Sequence, residues 1–72
     1  MSQSLTKEYP SDHNVRRVTF LPPLTLEVEY TGGTYQYKNV AEEVYHQAIE
    51  AESIGKFLTA EVKKKYQYVR VK

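Results

Sequence analysis

The amino-acid sequence predicts an α+β domain in which a three-stranded antiparallel meander is covered on one face by two helices. Residues 24–30 and 34–38 alternate apolar with polar side chains, which is typical of strands that bury one face. The Gly32-Gly33 pair between them suits a tight hairpin turn. Residues 40–51 and 54–65 instead repeat their apolar side chains at helical spacing. A chain of 72 residues has the length of one domain.

The N-terminal residues 1–12 predict a flexible arm, followed by a single domain over residues 13–72. The arm is polar, and Pro10 interrupts any periodicity that it has.

The first strand of the meander is predicted over residues 14–20, with Val18 facing the core. Consecutive prolines cannot continue a ladder, so we expect a three-residue connection at residues 21–23. A connection of that length places Val18 opposite Leu26. A two-residue connection would place Val18 opposite Glu27, and we reject it for that reason.

The hairpin between the second and third strands is predicted to turn at Gly32-Gly33 in a type I′ loop. Such a loop needs positive φ at both of its residues, which glycine tolerates. It would place Tyr30 opposite Tyr35 and Val28 opposite Tyr37, all on one face. A slip of one residue would expose that apolar face, so the apolar side chains should fix the register.

The first helix is predicted over residues 40–51. Asn39 and Glu42 have the spacing of a capping box, and the acidic residues of the first turn suit the helix dipole. One stripe of this helix is apolar, formed by Val44, Tyr45, Ala48, Ile49 and Ala51.

The second helix is predicted over residues 54–65, with Ser53 as its N-cap. Gly55 in its first turn costs about 1 kcal/mol relative to alanine. That glycine indicates either close approach of another backbone or a later helix start. The tail at residues 67–71 alternates again, and it either adds a short edge strand or extends freely.

Composition excludes several classes of site. The chain contains no cysteine, hence no disulfide, no thiolate nucleophile and no cysteine-ligated zinc. It contains no apolar run of membrane-spanning length, and its N-terminus is too polar for a signal peptide. We therefore expect a cytoplasmic protein without membrane contact.

Catalytic chemistry is not indicated by the sequence. Neither His13 nor His46 has a nucleophile and a carboxylate at a spacing that suggests a triad. His46 lies one helical turn from glutamates that could hold a metal ion with it, but a solvated helix face explains this pattern better. The sequence thus predicts a domain that is not an enzyme and has no catalytic residues, metal or cofactor.

The ordered spacing of apolar, aromatic and glycine positions resembles that of a known family. The residues that carry it are Leu26-x-Val28-x-Tyr30, Gly33-x-Tyr35-x-Tyr37-x-x-Val40, Val44-Tyr45, Ala51-x-Ser53-x-Gly55-x-Phe57 and Val62-x-x-x-Tyr66. Over residues 13–70 this pattern is similar to the KTSC family, small domains found alone or at the C-terminus of some lysyl-tRNA synthetases.

The sequence departs from the family pattern in two places, and the resemblance assigns no site. Ala41 stands where the family commonly has a proline, and the connection at residues 21–23 is shorter than usual and lacks an aspartate. The resemblance implies no catalytic residues. It implies RNA as a partner only by association with the synthetases.

Positive charge is concentrated in the C-terminal third. The net charge is +1, with −4 on residues 1–52 and +5 on residues 53–72. The candidate nucleic-acid-binding residues are Lys56, Lys63, Lys64, Lys65, Arg70 and Lys72. They would contact the phosphates of RNA or another anionic partner. A solvated helix face beside an acidic helix is the simpler explanation of the same charges.

Two further alternatives stay open at this point. The domain could instead bind a protein through an exposed sheet edge or through its tail, and its oligomeric state is undetermined. The sheet tyrosines could stack on bases, but their shared face with leucine and valine favours core or half-buried positions, and Tyr68 is expected to be more exposed.

Overall fold

The computed structural model describes residues 4–72, which form one antiparallel sheet with helical segments packed on one face. In chain order the elements are β1 (Leu5–Glu8), β2 (Val15–Leu21), β3 (Thr25–Tyr30), β4 (Gly33–Lys38), α1 (Glu42–Glu50), α2 (Ile54–Phe57), a π-helix (Leu58–Val62) and β5 (Tyr68–Arg70). The predicted α+β class is confirmed. The prediction of three strands is wrong, because five strands pair in the order β1-β2-β3-β4-β5 within these residues.

Strand β1 lies in the segment that was predicted to be an arm. It pairs antiparallel with β2, with Leu5 opposite Phe20 and Lys7 opposite Val18. The hydroxyls of Thr6 and Thr19 lie 3.2 Å apart across the pair. Leu5 is the one apolar residue of this strand, so the alternation that reveals the other strands is missing here. Residues 1–3 of the predicted arm lie outside the described residues.

The hairpin between β3 and β4 turns one residue earlier than predicted. Its loop is Thr31-Gly32, with Tyr30 opposite Gly33 and Val28 opposite Tyr35. The predicted type I′ turn is wrong, because positive φ falls on Gly33, at 154°, and not on Gly32. The register therefore differs from the predicted one by two residues. Since side chains alternate with a period of two, an even shift keeps the same side chains on the apolar face.

The connection between β2 and β3 is displaced by one residue in the opposite direction. It has three residues as predicted, but they are Pro22, Pro23 and Leu24, because Leu21 still pairs with Thr25. Val18 consequently lies opposite Val28 rather than Leu26. The Pro22-Pro23 peptide bond is cis.

A β-bulge at Arg16 places three β2 side chains in the core where strict alternation would allow two. Val15 pairs with Tyr30 and Arg17 with Glu29, so Arg16 is the extra residue. The bulge turns Val15 to the same face as Val18, and both are fully buried.

The helices begin and end differently from the predictions. Helix α1 starts at Glu42 after Ala41, whose methyl side chain cannot cap, while Asn39 has a φ of 60°. The predicted capping box is therefore wrong. Ser53 does cap α2, because its Oγ accepts the backbone N–H of Lys56 at 3.3 Å.

Helix α2 continues directly into the π-helix, and the helical segment ends at residue 62 instead of 65. The N–H of Lys63 donates to the carbonyl of Leu58, five residues earlier, at 2.8 Å. Both explanations suggested for Gly55 are wrong, because α2 already starts at Ile54 and no backbone approaches the glycine closely. A Cβ at Gly55 would meet no heavy atom of the described chain within 4 Å.

The core lies between the sheet and the helical segments. Its buried residues are Val15, Val18, Phe20, Leu26, Val28, Tyr37, Val40, Tyr45, Ala48, Ile54, Leu58 and Val62. Each large apolar side chain among them contributes roughly 1.5–3 kcal/mol to folding. Within residues 4–72 no helix is long and apolar enough to cross a membrane.

Candidate functional site

An open cleft lies between the α2 and π-helical wall and the β3–β4–β5 part of the sheet. Its volume is about 1110 Å³. Tyrosines of the sheet line one side, namely Tyr30, Tyr35, Tyr37 and Tyr68. The other side is lined by Lys56 of α2 and by Lys63 and Lys64, which directly follow the π-helix. We call this feature the lysine–tyrosine cleft.

Lys56 and Lys63 line the same wall from opposite ends of the π-helix. Lys56 lies in α2, and Lys63 directly follows the π-helix. Gly55, Thr59 and Ala60 also line this wall, and their small size leaves the space open.

Lys63 packs against an aromatic ring of the opposite side. Its Nζ lies 4.8 Å from the ring centroid of Tyr30. At that distance the ammonium is attracted by the negative face of the ring. The contact places a positive charge above the ring of Tyr30.

Two tyrosine hydroxyls form a hydrogen bond in this part of the sheet. The hydroxyls of Tyr30 and Tyr37 lie 2.9 Å apart. Burial is the main cause that raises the pKa of Tyr30 far above its usual value of 10.0, and the hydrogen bond to Tyr37 raises it further. Burial also raises the pKa of Tyr37. Both hydroxyls therefore stay neutral at neutral pH.

Tyr68 lies at the outer side of the aromatic cluster. Its ring centroid is 5.4 Å from that of Tyr35 and 5.6 Å from that of Tyr37, and its exposed fraction is 54%. Strand β5 holds it there, because Tyr68 pairs with Tyr37 across the sheet.

Arg70 fixes β5 to the hairpin turn. Its guanidinium donates to the carbonyl of Gly32 at 2.9 Å and to that of Lys72 at 2.8 Å. The same group lies 5.9 Å from the ring centroid of Tyr35. Arg70 thus has a structural role at the edge of the cleft.

The acidic side chain that lines the described cleft is already engaged with the backbone. Oδ1 of Asp12 accepts the N–H groups of Asn14 and Val15, each at 2.8 Å. The bond from Val15, followed by that from Asn14, lowers the pKa of Asp12. Its charge is therefore directed at the turn that precedes β2.

The structure separates the six predicted binding residues into two groups. Lys56, Lys63 and Lys64 come together on the cleft wall. Lys65 forms an ion pair with Glu61 at 2.8 Å, and its side chain is exposed. Arg70 bonds to the turn, and the carbonyl of Lys72 accepts the N–H of Thr34.

The sequence did not predict that tyrosines form one side of the cleft. Their burial agrees with the expectation of core or half-buried positions, because Tyr37 is 2% exposed and Tyr30 and Tyr35 are partly buried. The signal that could have located them is the alternation of the tail. A tail paired to β4 brings Tyr68 beside Tyr35.

His46 does not contribute to the cleft. Its Nε2 lies 2.9 Å from Oε2 of Glu42 on the exposed face of α1. Throughout residues 4–72, no group of three or more potential metal ligands comes together.

A family model and a solved structure both relate this chain to the same family of domains. A family model described as the KTSC domain matches residues 11–66. The crystal structure of a KTSC domain protein from Yersinia pestis superposes with a TM-score of 0.85 and 24% sequence identity, covering 97% of this chain and 100% of that one. At this identity the superposition shows a shared fold. A search of curated proteins found no match.

Proposed function

The chain belongs to the KTSC domain family, and from this premise we propose that it is a small non-catalytic domain that binds RNA in the lysine–tyrosine cleft. The observation that carries the proposal is the placement of Lys56, Lys63 and Lys64 on one wall of the cleft, opposite the sheet tyrosines. Cations beside aromatic rings match the two chemical features of nucleic acid, its phosphates and its bases.

Charge supports an anionic ligand. Residues 53–72 carry six basic side chains and one acidic side chain, Glu61, which pairs with Lys65 outside the cleft. The cleft lysines are therefore available for phosphates. Such contacts are independent of base sequence and weaken steeply as salt rises.

Burial disfavours the hydroxyls of Tyr30 and Tyr37 as a catalytic base or nucleophile. A tyrosine acts as a base or nucleophile only after it loses its proton. Burial raises the pKa of Tyr30 and Tyr37 and so keeps both protonated. They can still serve as neutral hydrogen-bond groups for a ligand.

The test compares two double variants of equal charge. Lys63→Gln with Lys64→Gln removes two cations from the cleft, whereas Lys7→Gln with Lys65→Gln removes two from elsewhere. Binding of fluorescein-labelled single-stranded RNA is followed by fluorescence anisotropy at about 50 mM and about 200 mM salt. Single-stranded DNA of the same sequence is the comparison ligand.

We expect the first double variant to bind RNA about tenfold more weakly or worse, and the second to bind nearly like the parent protein. Circular dichroism should show the same folded spectrum for both. Absence of RNA binding by the parent at low salt, or equal losses in the two variants, would overturn the proposal.

The second candidate function is a protein-interaction domain that pairs through the β5 edge. Tyr68, Val69 and Val71 on or beside this short edge strand are 54%, 48% and 44% exposed. An exposed edge can accept a strand from a partner. Salt dependence separates the two functions, because strand addition should respond weakly to salt and phosphate binding strongly.

A further inference from the structure

We infer that the cleft takes unpaired RNA, with a base stacked on Tyr68 and its neighbouring phosphates on Lys63 and Lys64. The inference rests on the proposed RNA binding and adds the class of RNA.

Tyr68 combines exposure with a fixed position. More than half of its surface is open, yet Tyr35 and Tyr37 contact its ring at centroid distances of 5.4 and 5.6 Å. A ring held in this way loses little conformational freedom when a base stacks on it. Exposed aromatic side chains are the usual stacking surfaces for unpaired bases.

The nearby lysines could bind the phosphates of an RNA strand whose base stacks on Tyr68. Lys63 and Lys64 line the same cleft as Tyr68. Lys63 already lies over the ring of Tyr30, which shows that the wall approaches the aromatic side closely. One strand can therefore meet both a ring and cations in the cleft.

A duplex cannot use the aromatic side of the cleft. Paired bases are stacked on one another inside the helix, and only the backbone and groove edges are accessible. If the lysines acted alone, a duplex would be the better ligand, because its phosphates are more densely spaced. The stacking and the charge-only modes thus predict opposite preferences.

The experiment measures the affinity of the folded 72-residue chain for a labelled RNA of about eight nucleotides, single-stranded and annealed to its complement. The variants are Tyr68→Leu, which removes the ring, and Tyr68→Phe, which keeps it. Val69→Ala is the matched control, because Val69 is the next residue of β5 and is similarly exposed.

We expect the single strand to bind the parent more tightly than the duplex. Tyr68→Leu should weaken single-strand binding about tenfold, whereas Tyr68→Phe and Val69→Ala should change it less than about twofold. In the parent protein, RNA should also shift the Tyr68 ring-proton NMR signals upfield. This second measurement does not depend on how a variant folds.

Tighter duplex binding, or an unshifted Tyr68 ring, would overturn the inference. If RNA binding still required the cleft lysines in that case, the proposed function would stand and only the stacking on Tyr68 would be rejected. Absence of binding to either form would overturn both.

Discussion

At the scale of single residues, the two adjacent glycines have different roles. Gly33 has a φ of 154°, and a Cβ built on it would lie 2.8 Å from the carbonyl oxygen of Lys72 and 2.9 Å from Nε of Arg70. Gly32 lies in the loop, where a Cβ would meet no described heavy atom within 4 Å. Gly33 is thus the position that requires glycine, both for its backbone conformation and for the approach of β5.

Substitution of each glycine by alanine tests this difference. Gly33→Ala should lower the free energy of unfolding by about 1–3 kcal/mol, because it combines backbone strain with displacement of the chain end. Gly32→Ala is the matched control, and it should change the free energy by less than about 0.5 kcal/mol. Urea denaturation followed by circular dichroism measures both, and equal effects of the two variants would refute this account of Gly33.

At the scale of elements, the sequence revealed which side chains face the core but not which residues pair. Both hairpins have registers that differ from the predicted ones by two residues. Alternation has a period of two, so it distinguishes the faces of a strand but not two registers that differ by an even number. Only the residues of the turn could distinguish the two registers. The glycine pair was misleading there, because Gly33 lies in β4 and accommodates the close approach of Arg70 and Lys72.

The elements that were missed depend on contacts distant in sequence. Strand β1 is recognised by its backbone pairing with β2, and the bulge at Arg16 by the inward position of Val15. Neither feature produces a recognisable pattern in the neighbouring sequence. The tail, which the sequence left as either a strand or a free end, forms β5 against β4.

The same distinction applies to the candidate site. The cleft lysines were identified from charge alone, because a run of basic residues is visible in any sequence. The aromatic side was not recognised as part of the site, because Tyr68 joins Tyr35 and Tyr37 only when β5 pairs with β4. Local sequence reveals the charges of a site more readily than its shape.

At the scale of the whole molecule, buried tyrosines link stability to alkaline pH. Burial is the main cause that raises the pKa of four tyrosines above the usual value of 10.0, namely Tyr9, Tyr30, Tyr37 and Tyr45. Tyrosine is charged only after it loses its proton. Above about pH 10 the unfolded chain therefore releases protons that the folded chain retains. The free energy of unfolding should therefore keep its full value below this pH and decrease above it.

The variant Tyr30→Phe tests this linkage. At neutral pH it should destabilise the fold by about 1 kcal/mol, because it leaves the Tyr37 hydroxyl without its partner. Between about pH 8 and about pH 11, however, it should lose less stability than the parent, since one linked group is gone. Urea denaturation at the two pH values measures this difference. An identical loss of stability in the two proteins would rule out the role given to Tyr30.

The most direct test of the central claim is an NMR titration of the ¹⁵N-labelled domain with unlabelled single-stranded RNA. The cleft predicts the largest amide shifts along the helical wall at Lys56, Lys63 and Lys64 and on β5 at Tyr68. The β1 edge, across the sheet, should change little. Shifts confined to β1 and α1, or an unchanged spectrum at low salt, would contradict the claim that this cleft binds RNA.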